Sequence, residues 1–273
     1  MSCLYSRGHQ KQELSERVEE EVGPSYEGIA EFYDYFSTQD DLPFYIHYAE
    51  KQGSPILDIG AGTGRVSRYL AEHGFRVTAL ENSPSMLRHL KREVKKISSE
   101  AKRKISVVEA DMRDFELDKE FKLIIIPASF GHAMTTEDQL STLECIYRHL
   151  ARDGLFILDL YPAGTMDEHS RFEEHPVELP DGRIVVREGV IDCDPVRQVM
   201  RVELTYKIRL PENPGNSWDK QIRIVSGAAL IYNREADLLI RLSGFRVVEE
   251  LGSFARDPYT PDSPRRIIVL ERI

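Results

Sequence analysis

The sequence predicts an α/β fold: a mostly parallel sheet with helices on both faces, and a small antiparallel β insertion after the fifth strand. Two observations carry this expectation. From about residue 54, short apolar runs alternate with helical patterns, as in a parallel sheet. From about residue 163 the helical period disappears and strict two-residue alternation takes over. Met200, Val202, Leu204, Tyr206, Ile208 and Leu210 fall on one side and Arg201, Glu203, Thr205, Lys207 and Arg209 on the other, the pattern of a half-buried antiparallel strand.

The elements follow in order. Residues 54–60 (SPILDIG) form an apolar strand ending in glycine, and RVSRYLAEHG continues as a helix stopped by Gly74. FRVTALE (75–81) is a second strand, after which Ser83 and Pro84 supply an N-cap and a first-turn proline for the next helix. ISVVEAD (105–111) and KLIIIP (122–127) are the third and fourth strands. Thr136 with Gln139 reads as a capping box for a helix whose apolar face is Leu140, Leu143, Tyr147 and Leu150 and which Gly154 ends. LFILDLY (155–161) is the fifth strand. Three antiparallel strands are expected in the insertion, then a helix capped by Asn233 and two closing strands, FRVVEELG and RRIIVLER.

The chain has 273 residues, 36 Lys plus Arg and 46 Asp plus Glu, for a formal charge of −10. That balance disfavours general affinity for nucleic-acid phosphates or anionic lipid, which rests on excess positive charge. Residues 1–53 contribute −7 and residues 163–231 contribute −3, while the remaining acids and bases cancel. No apolar stretch approaches the length of a membrane span. The N-terminus lacks the apolar core of a signal peptide, so the cytoplasm is the expected compartment. Cys3, Cys145 and Cys193 are widely spaced and read as reduced thiols, and no His, Asp or Glu cluster has metal-ligand spacing.

The sharpest local signal is Ile56-Leu57-Asp58-Ile59-Gly60-Ala61-Gly62-Thr63-Gly64-Arg65, a strand that runs through a glycine turn into a helix. Glycines permit positive φ and close approach of a ligand, and the helix start offers free N–H groups to an anion. A dinucleotide fingerprint would require Gly or Ala at position 65, where Arg65 stands, which weakens a nicotinamide or flavin reading. Glu81, at the end of the second strand, suits ribose hydroxyls under either reading.

ILDIGAGTGR, VTALENSPSML, VVEADMRDF and FKLIIIPASFGHAM, in this order and spacing, resemble the successive motifs of class I (Rossmann-like) S-adenosylmethionine-dependent methyltransferases. The likeness continues through DQLSTLECIYRHLARDGLFILDLY to the closing GFRVVEE and RRIIVLER. It implies a seven-stranded sheet and S-adenosyl-L-methionine as cofactor. By this resemblance Gly60, Gly62 and Gly64 would hold the methionine part, Asp58 and Ala61 are further candidate cofactor contacts, and Arg65 is a candidate partner for the cofactor carboxylate. Glu81, here in place of the more usual Asp, would accept from both ribose hydroxyls, beside Asn82 and Met86. Asp111 would accept from the adenine amino group, Met112 would pack on the ring, and Pro127 to His132 would line the methyl-transfer site. YEGIAEFYDYF (26–36) resembles an N-terminal helix that closes over the cofactor, which makes Tyr26 and Tyr33 candidate contacts.

His132 is the first candidate base, because it follows the fourth strand and imidazole titrates near neutrality. Asp159 and Tyr161, at the end of the fifth strand, are candidates to hold an acceptor. His169 and His175 read as exposed loop residues, and the basic run from Arg88 to Lys104 as a solvated helix face. The turn after the fourth strand, Ile126-Pro127-Ala128-Ser129, differs from the Asn/Asp-Pro-Pro-aromatic turn of amino-methyltransferases acting on nucleic-acid or glutamine amides. Cys145 lies in a helical pattern, away from the Pro-Cys setting of cytosine C5 enzymes. The expected activity is methyl transfer to a small-molecule acceptor through nitrogen, oxygen or carbon. Alternatives are a tRNA or rRNA methyltransferase, a nicotinamide-dependent oxidoreductase, and a non-catalytic S-adenosylmethionine-binding module. The expected organisation is an N-terminal helical cap (1–53), a core (54–162 and 232–273) and a β lid (163–231).

Overall fold

Short apolar strands need cover on both faces, and the chain supplies it with amphipathic helices. The computed structural model describes residues 19–21, 26–161, 163–165, 167–213, 215 and 217–273. Cys3 and much of the expected 1–53 cap lie outside the described residues. The elements begin with β1 (Glu19–Glu21), α1 (Ala30–Tyr33), α2 (Leu42–Gln52), β2 (Ile56–Ile59), α3 (Arg65–Glu72), β3 (Val77–Glu81) and α4 (Pro84–Val94). Next come α5 (Ser99–Lys102), β4 (Ile105–Glu109), β5 (Phe121–Ile126), α6 (Thr136–His149) and β6 (Leu150–Leu160). The insertion follows with β7 (His169–Glu173), β8 (Val177–Glu178), β9 (Ile184–Asp194), β10 (Val199–Arg209) and β11 (Lys220–Ala229). The chain closes with α7 (Asn233–Leu242), β12 (Phe245–Leu251) and β13 (Arg266–Arg272).

Seven strands form the main sheet in the order β12-β13-β6-β5-β2-β3-β4. β4, β3, β2, β5 and β6 are parallel, whereas β13 runs antiparallel to β6 and β12 antiparallel to β13. The connection order reverses at β2, between β3 and β5, and the crevice beyond the carboxyl ends at such a point is where open α/β sheets bind ligands. One face is packed by a core around Ile124, Phe156 and Leu143, and the other by a core around Tyr45, Ile125 and Ile157.

The second sheet is larger than the three strands the alternation predicts. Its order is β1-β11-β10-β9-β7, with β8 also on β9 and β1 parallel to β11. β7 and β8 are short and charged, so their alternation was too brief to read. The predicted inward row Leu204, Tyr206 and Ile208 is buried, together with Ile29 and Phe32 of the N-terminal segment. Cap and insertion therefore share one hydrophobic cluster.

Three boundaries move. Thr135 caps α6, its hydroxyl accepting from Asp138 N at 3.1 Å, while the predicted cap, Thr136, is the first helical residue. Tyr232 takes the N-cap position of α7, and Asn233 instead donates through its amide to the Tyr259 hydroxyl at 2.9 Å. Gly154 lies inside β6, because the helix ends at His149 and the strand starts at Leu150, bringing the backbone of residue 154 against Lys122 O at the shift in register with β5. Among the described residues no helix is long and apolar enough to cross a membrane.

Candidate active site

The glycine turn between β2 and α3 is built by close approach. Gly60 has φ +66°, and a Cβ there would lie 2.7 Å from Ser129, whose hydroxyl donates to Pro127 O. Gly64 has φ +78°, and its Cβ would lie 2.0 Å from Leu90 of α4. Gly62, at φ +58°, has open space where a Cβ would go. The turn is tied to β3 by Glu81: its Oε2 accepts from Gly62 N at 2.7 Å, and Oε1 accepts from Asn82 N at 2.9 Å and Ser83 N at 2.7 Å. A carboxylate has about four lone-pair sites, so one stays open for a further donor. Glu81 faces a cavity of about 320 Å³ whose wall also includes Asn82, Met86, Asp111 and Met112, as the sequence grouped them. Asp111 is held by Arg113, with Nε at 2.9 Å and Nη2 at 2.7 Å, and this guanidinium keeps its carboxyl below the usual range.

A second cavity of about 280 Å³ lies on the other side of Gly60, bounded by Asp58, Ala61, Arg65 and Pro127. Asp58 is 1% exposed; its Oδ2 accepts from Ser67 at 2.6 Å, and its buried Oδ1 has no hydrogen-bond partner. Burial pushes this carboxyl up to about 7. An unpaired carboxylate oxygen lining a cavity calls for a cationic or N–H donor. Arg65 is already engaged end-on by Asp41, both terminal nitrogens donating at 2.6 Å, so it meets a ligand carboxylate only in competition with that pair.

A third cavity, about 310 Å³, lies between the main sheet and the insertion. Tyr26, His132, Asp159 and Tyr161 bound it on one side and Ile191, Met200, Val202 and Leu204 on the other. His132 follows β5 in the turn Phe130–His132, and β11 packs directly on that turn. Its Nε2 lies 3.2 Å from the Tyr26 hydroxyl and its ring is edge-on to Tyr26. Burial lowers its pKa, and a bond to the Gly227 backbone opposes the shift. Burial pushes the Tyr26 hydroxyl up to about 12, so it remains a donor at neutral pH. Tyr33 packs edge-on to Tyr26 and lines all three cavities, the single tyrosine at their junction among the described residues.

Asp159 is 2% exposed and bound side-on by Arg265, at 2.6 and 2.7 Å. Burial pushes its carboxyl up while Arg265 pulls against it. Tyr161 is 51% exposed and its ring lies under the Arg265 guanidinium, 4.3 Å from its carbon. Both candidates thus reach the site, with Asp159 already committed to an arginine. Sequence reasoning missed Arg265, Asp41, Ser226 and Arg187. Each lies far along the chain from its partner, and no local motif marks it. Among the described residues no group of three or more His, Cys, Asp or Glu is placed to hold a metal ion.

Residues 56–154 match the family model described as a methyltransferase domain. The cypemycin N-terminal methyltransferase of a Streptomyces species is 29% identical over 222 residues, covering 81% of this chain and 84% of that protein. The dTDP-3-amino-3,4,6-trideoxy-alpha-D-glucopyranose N,N-dimethyltransferase of Streptomyces venezuelae is 24% identical over 127 residues, 46% of this chain and 50% of that one. Among solved structures, the sugar N-methyltransferase KedS8 from Streptoalloteichus sp ATCC 53650 shares the fold over 100% of both chains, with a TM-score of 0.71 at 19% identity. With the glycine turn, the acid ending β3 and the seven-stranded sheet, these matches identify residues 56–154 as a methyltransferase domain, in a chain similar in sequence and fold to S-adenosylmethionine-dependent methyltransferases.

Proposed function

We propose that the enzyme moves a methyl group from S-adenosylmethionine to an amine nitrogen of a small-molecule acceptor. The observation that carries this reading is the junction at Tyr33. A cavity with a ribose-type acid, a cavity with an unpaired carboxylate oxygen and a largely apolar cavity meet there. The amine is favoured because one relative named above is an N,N-dimethyltransferase of an amino sugar and the other an N-terminal methyltransferase, by their names. Nucleic acid is disfavoured by the acidic balance of the segments around the site. A nicotinamide reading loses further ground to the methyltransferase match over residues 56–154.

When bound, the cofactor supplies a sulfonium methyl already activated for in-line displacement. Asp58, with Oδ1 unpaired, would hold the cofactor's amino group, and Gly60, Ala61, Gly62 and Gly64 would leave room for its chain. Arg65 would approach the carboxylate by sharing itself with Asp41. Glu81 has capacity for one ribose hydroxyl beyond its three backbone donors, fewer than the two expected. Asn82 and Asp111 would meet the adenine amino group between Met86 and Met112. Pro127 and Tyr161 would shape the passage to the acceptor, and Asp159 would orient it through its Arg265 partner. Neutral His132, reached through Tyr26, would take the proton that the amine loses.

Under this reading residues 1–53 act as a cap, 54–162 and 232–273 as the core and 163–231 as a lid. Support comes from Asp34, which accepts from Thr63 of the glycine turn at 2.5 Å and Arg68 at 3.1 Å, and from Arg187, which donates to Phe36 O at 3.1 Å. A cytoplasmic setting, where Cys145 and Cys193 stay reduced, belongs to the same proposal. Thermal melts with S-adenosylhomocysteine and with NAD test the cofactor. At a hundredfold excess over its dissociation constant the true ligand adds about 2.7 kcal/mol. Mass spectrometry of primary amines incubated with enzyme and S-adenosylmethionine should find one added methyl on nitrogen. Stabilisation by NAD alone, or methyl on oxygen only, overturns the proposal.

A further inference from the structure

We propose that the cavity between the main sheet and the insertion selects an acceptor whose amine is borne on a compact hydrocarbon body, and that Val202 and Leu204 of β10 set this preference. The inference rests on the methyl-transfer reading of the same site. Its first support is the strand register. Val202 lies opposite Ile191 of β9 and Ser226 of β11, Met200 lies opposite Ala228, and all five line the cavity with Leu204. One face of three strands therefore presents aliphatic side chains in adjacent rows, with Ser226 the polar member of this group.

The second support is the state of the polar groups around those rows. Ser226 sits beside the Tyr26 hydroxyl, and Tyr26 in turn lies against His132. Arg187, the cation facing the cavity from β9, is bound by Glu174 at 2.5 and 2.7 Å and by Phe36 O, and its guanidinium lies over the rings of Phe36 and Phe172. Asp159 is occupied by Arg265. A polyhydroxylated acceptor entering here would lose water without gaining matched partners, and a diphosphate would find its nearest cation already neutralised. A hydrocarbon body loses only unfavourable hydration. The preferred acceptor thus differs from the nucleotide-linked amino sugar in the name of one relative.

Calorimetric titration of the protein loaded with S-adenosylhomocysteine tests this with linear primary amines from propyl to heptyl, and with D-glucosamine. Each methylene placed against the aliphatic rows should tighten binding about fourfold until the cavity is filled, from about 0.8 kcal/mol per methylene. D-glucosamine should bind more weakly than propylamine. Val202→Asn should flatten the dependence on chain length, and the milder Val202→Ala should carry it to longer amines; both should leave S-adenosylhomocysteine affinity unchanged. Affinity independent of chain length, or tighter binding of glucosamine than of hexylamine, overturns the inference even if methylated amine is formed. Chain-length-dependent binding with no methylated product instead overturns the methyl-transfer reading and leaves the selectivity of the cavity standing.

Discussion

Arg265 meets the Asp159 carboxylate side-on, with Nε 2.6 Å from Oδ1 and Nη2 2.7 Å from Oδ2, and its guanidinium sits over the rings of Tyr161 and Phe254. The last antiparallel strand is thereby locked to the carboxyl end of β6, beside two of the three cavities. Removing one member of a buried pair strands the other, at a cost of about 3–5 kcal/mol. Arg265→Ala should therefore destabilise by that order in urea unfolding. Arg265→Lys should recover only part of it, since an ammonium cannot reproduce the planar fork. An Arg265→Ala protein as stable as the parent would show that Asp159 finds water or another donor.

Asp58 gives the cofactor site a pH dependence whose sign follows from its burial. Its folded pKa of about 7 lies above the ordinary 3.8, so the ligand-free fold favours the protonated carboxyl. The resulting penalty is absent below pH 3.8, grows as pH rises, and is complete above pH 7. Asp58→Asn should thus stabilise the ligand-free protein above pH 7, by an amount on the order of a few kcal/mol. An ammonium placed on Asp58 favours the charged form, so cofactor binding below pH 7 should release a proton and strengthen with pH by up to tenfold per unit. Calorimetry in buffers of different ionisation enthalpy reads that proton, and Asp58→Asn should abolish its release.

Gly62 and Gly64 of the turn, alike in sequence, should fail differently. Gly62→Ala meets open space and suffers only the positive φ, about 1–2 kcal/mol. Gly64→Ala adds a collision with Leu90 Cδ1 at 2.0 Å, and overpacking of this kind costs about 1–3 kcal/mol more. Combining Gly64→Ala with Leu90→Ala should relieve the clash while opening a cavity, so the double variant should lose less than the sum of the singles. Strict additivity in thermal melts would mean that Leu90 already swings clear of residue 64.

These contrasts mark what was legible in the sequence. Glycine spacing, the acid ending β3 and the order of apolar runs are local, so the parallel sheet and Glu81 could be read directly, while the family resemblance brought Asp111 and Met112 beside it. The alternation of β10 likewise announced a sheet with one buried face. β7 and β8 are too short for a period to emerge, and the cluster joining Phe32 to Tyr206 unites segments far apart in the chain. The same distance hid Asp41 beneath Arg65 and Arg265 beside Asp159. A long-range ion pair leaves no spacing to find, so two residues read as ligand contacts already had protein partners.

The Tyr26–His132 contact yields the most direct test of the proposed chemistry. His132 can take a proton only while neutral, and burial holds its pKa below the ordinary 6.5. Turnover at saturating cofactor should therefore persist at pH 6.5 and fall only as pH drops through the lower folded value. His132→Gln keeps a side chain that can bond to Tyr26 but cannot accept the proton, so kcat should fall by about 10²–10⁴-fold. S-adenosylhomocysteine affinity should change little. Unchanged kcat in His132→Gln across the pH range would remove His132 as the base and leave the contact as a brace between the N-terminal segment and the turn after β5.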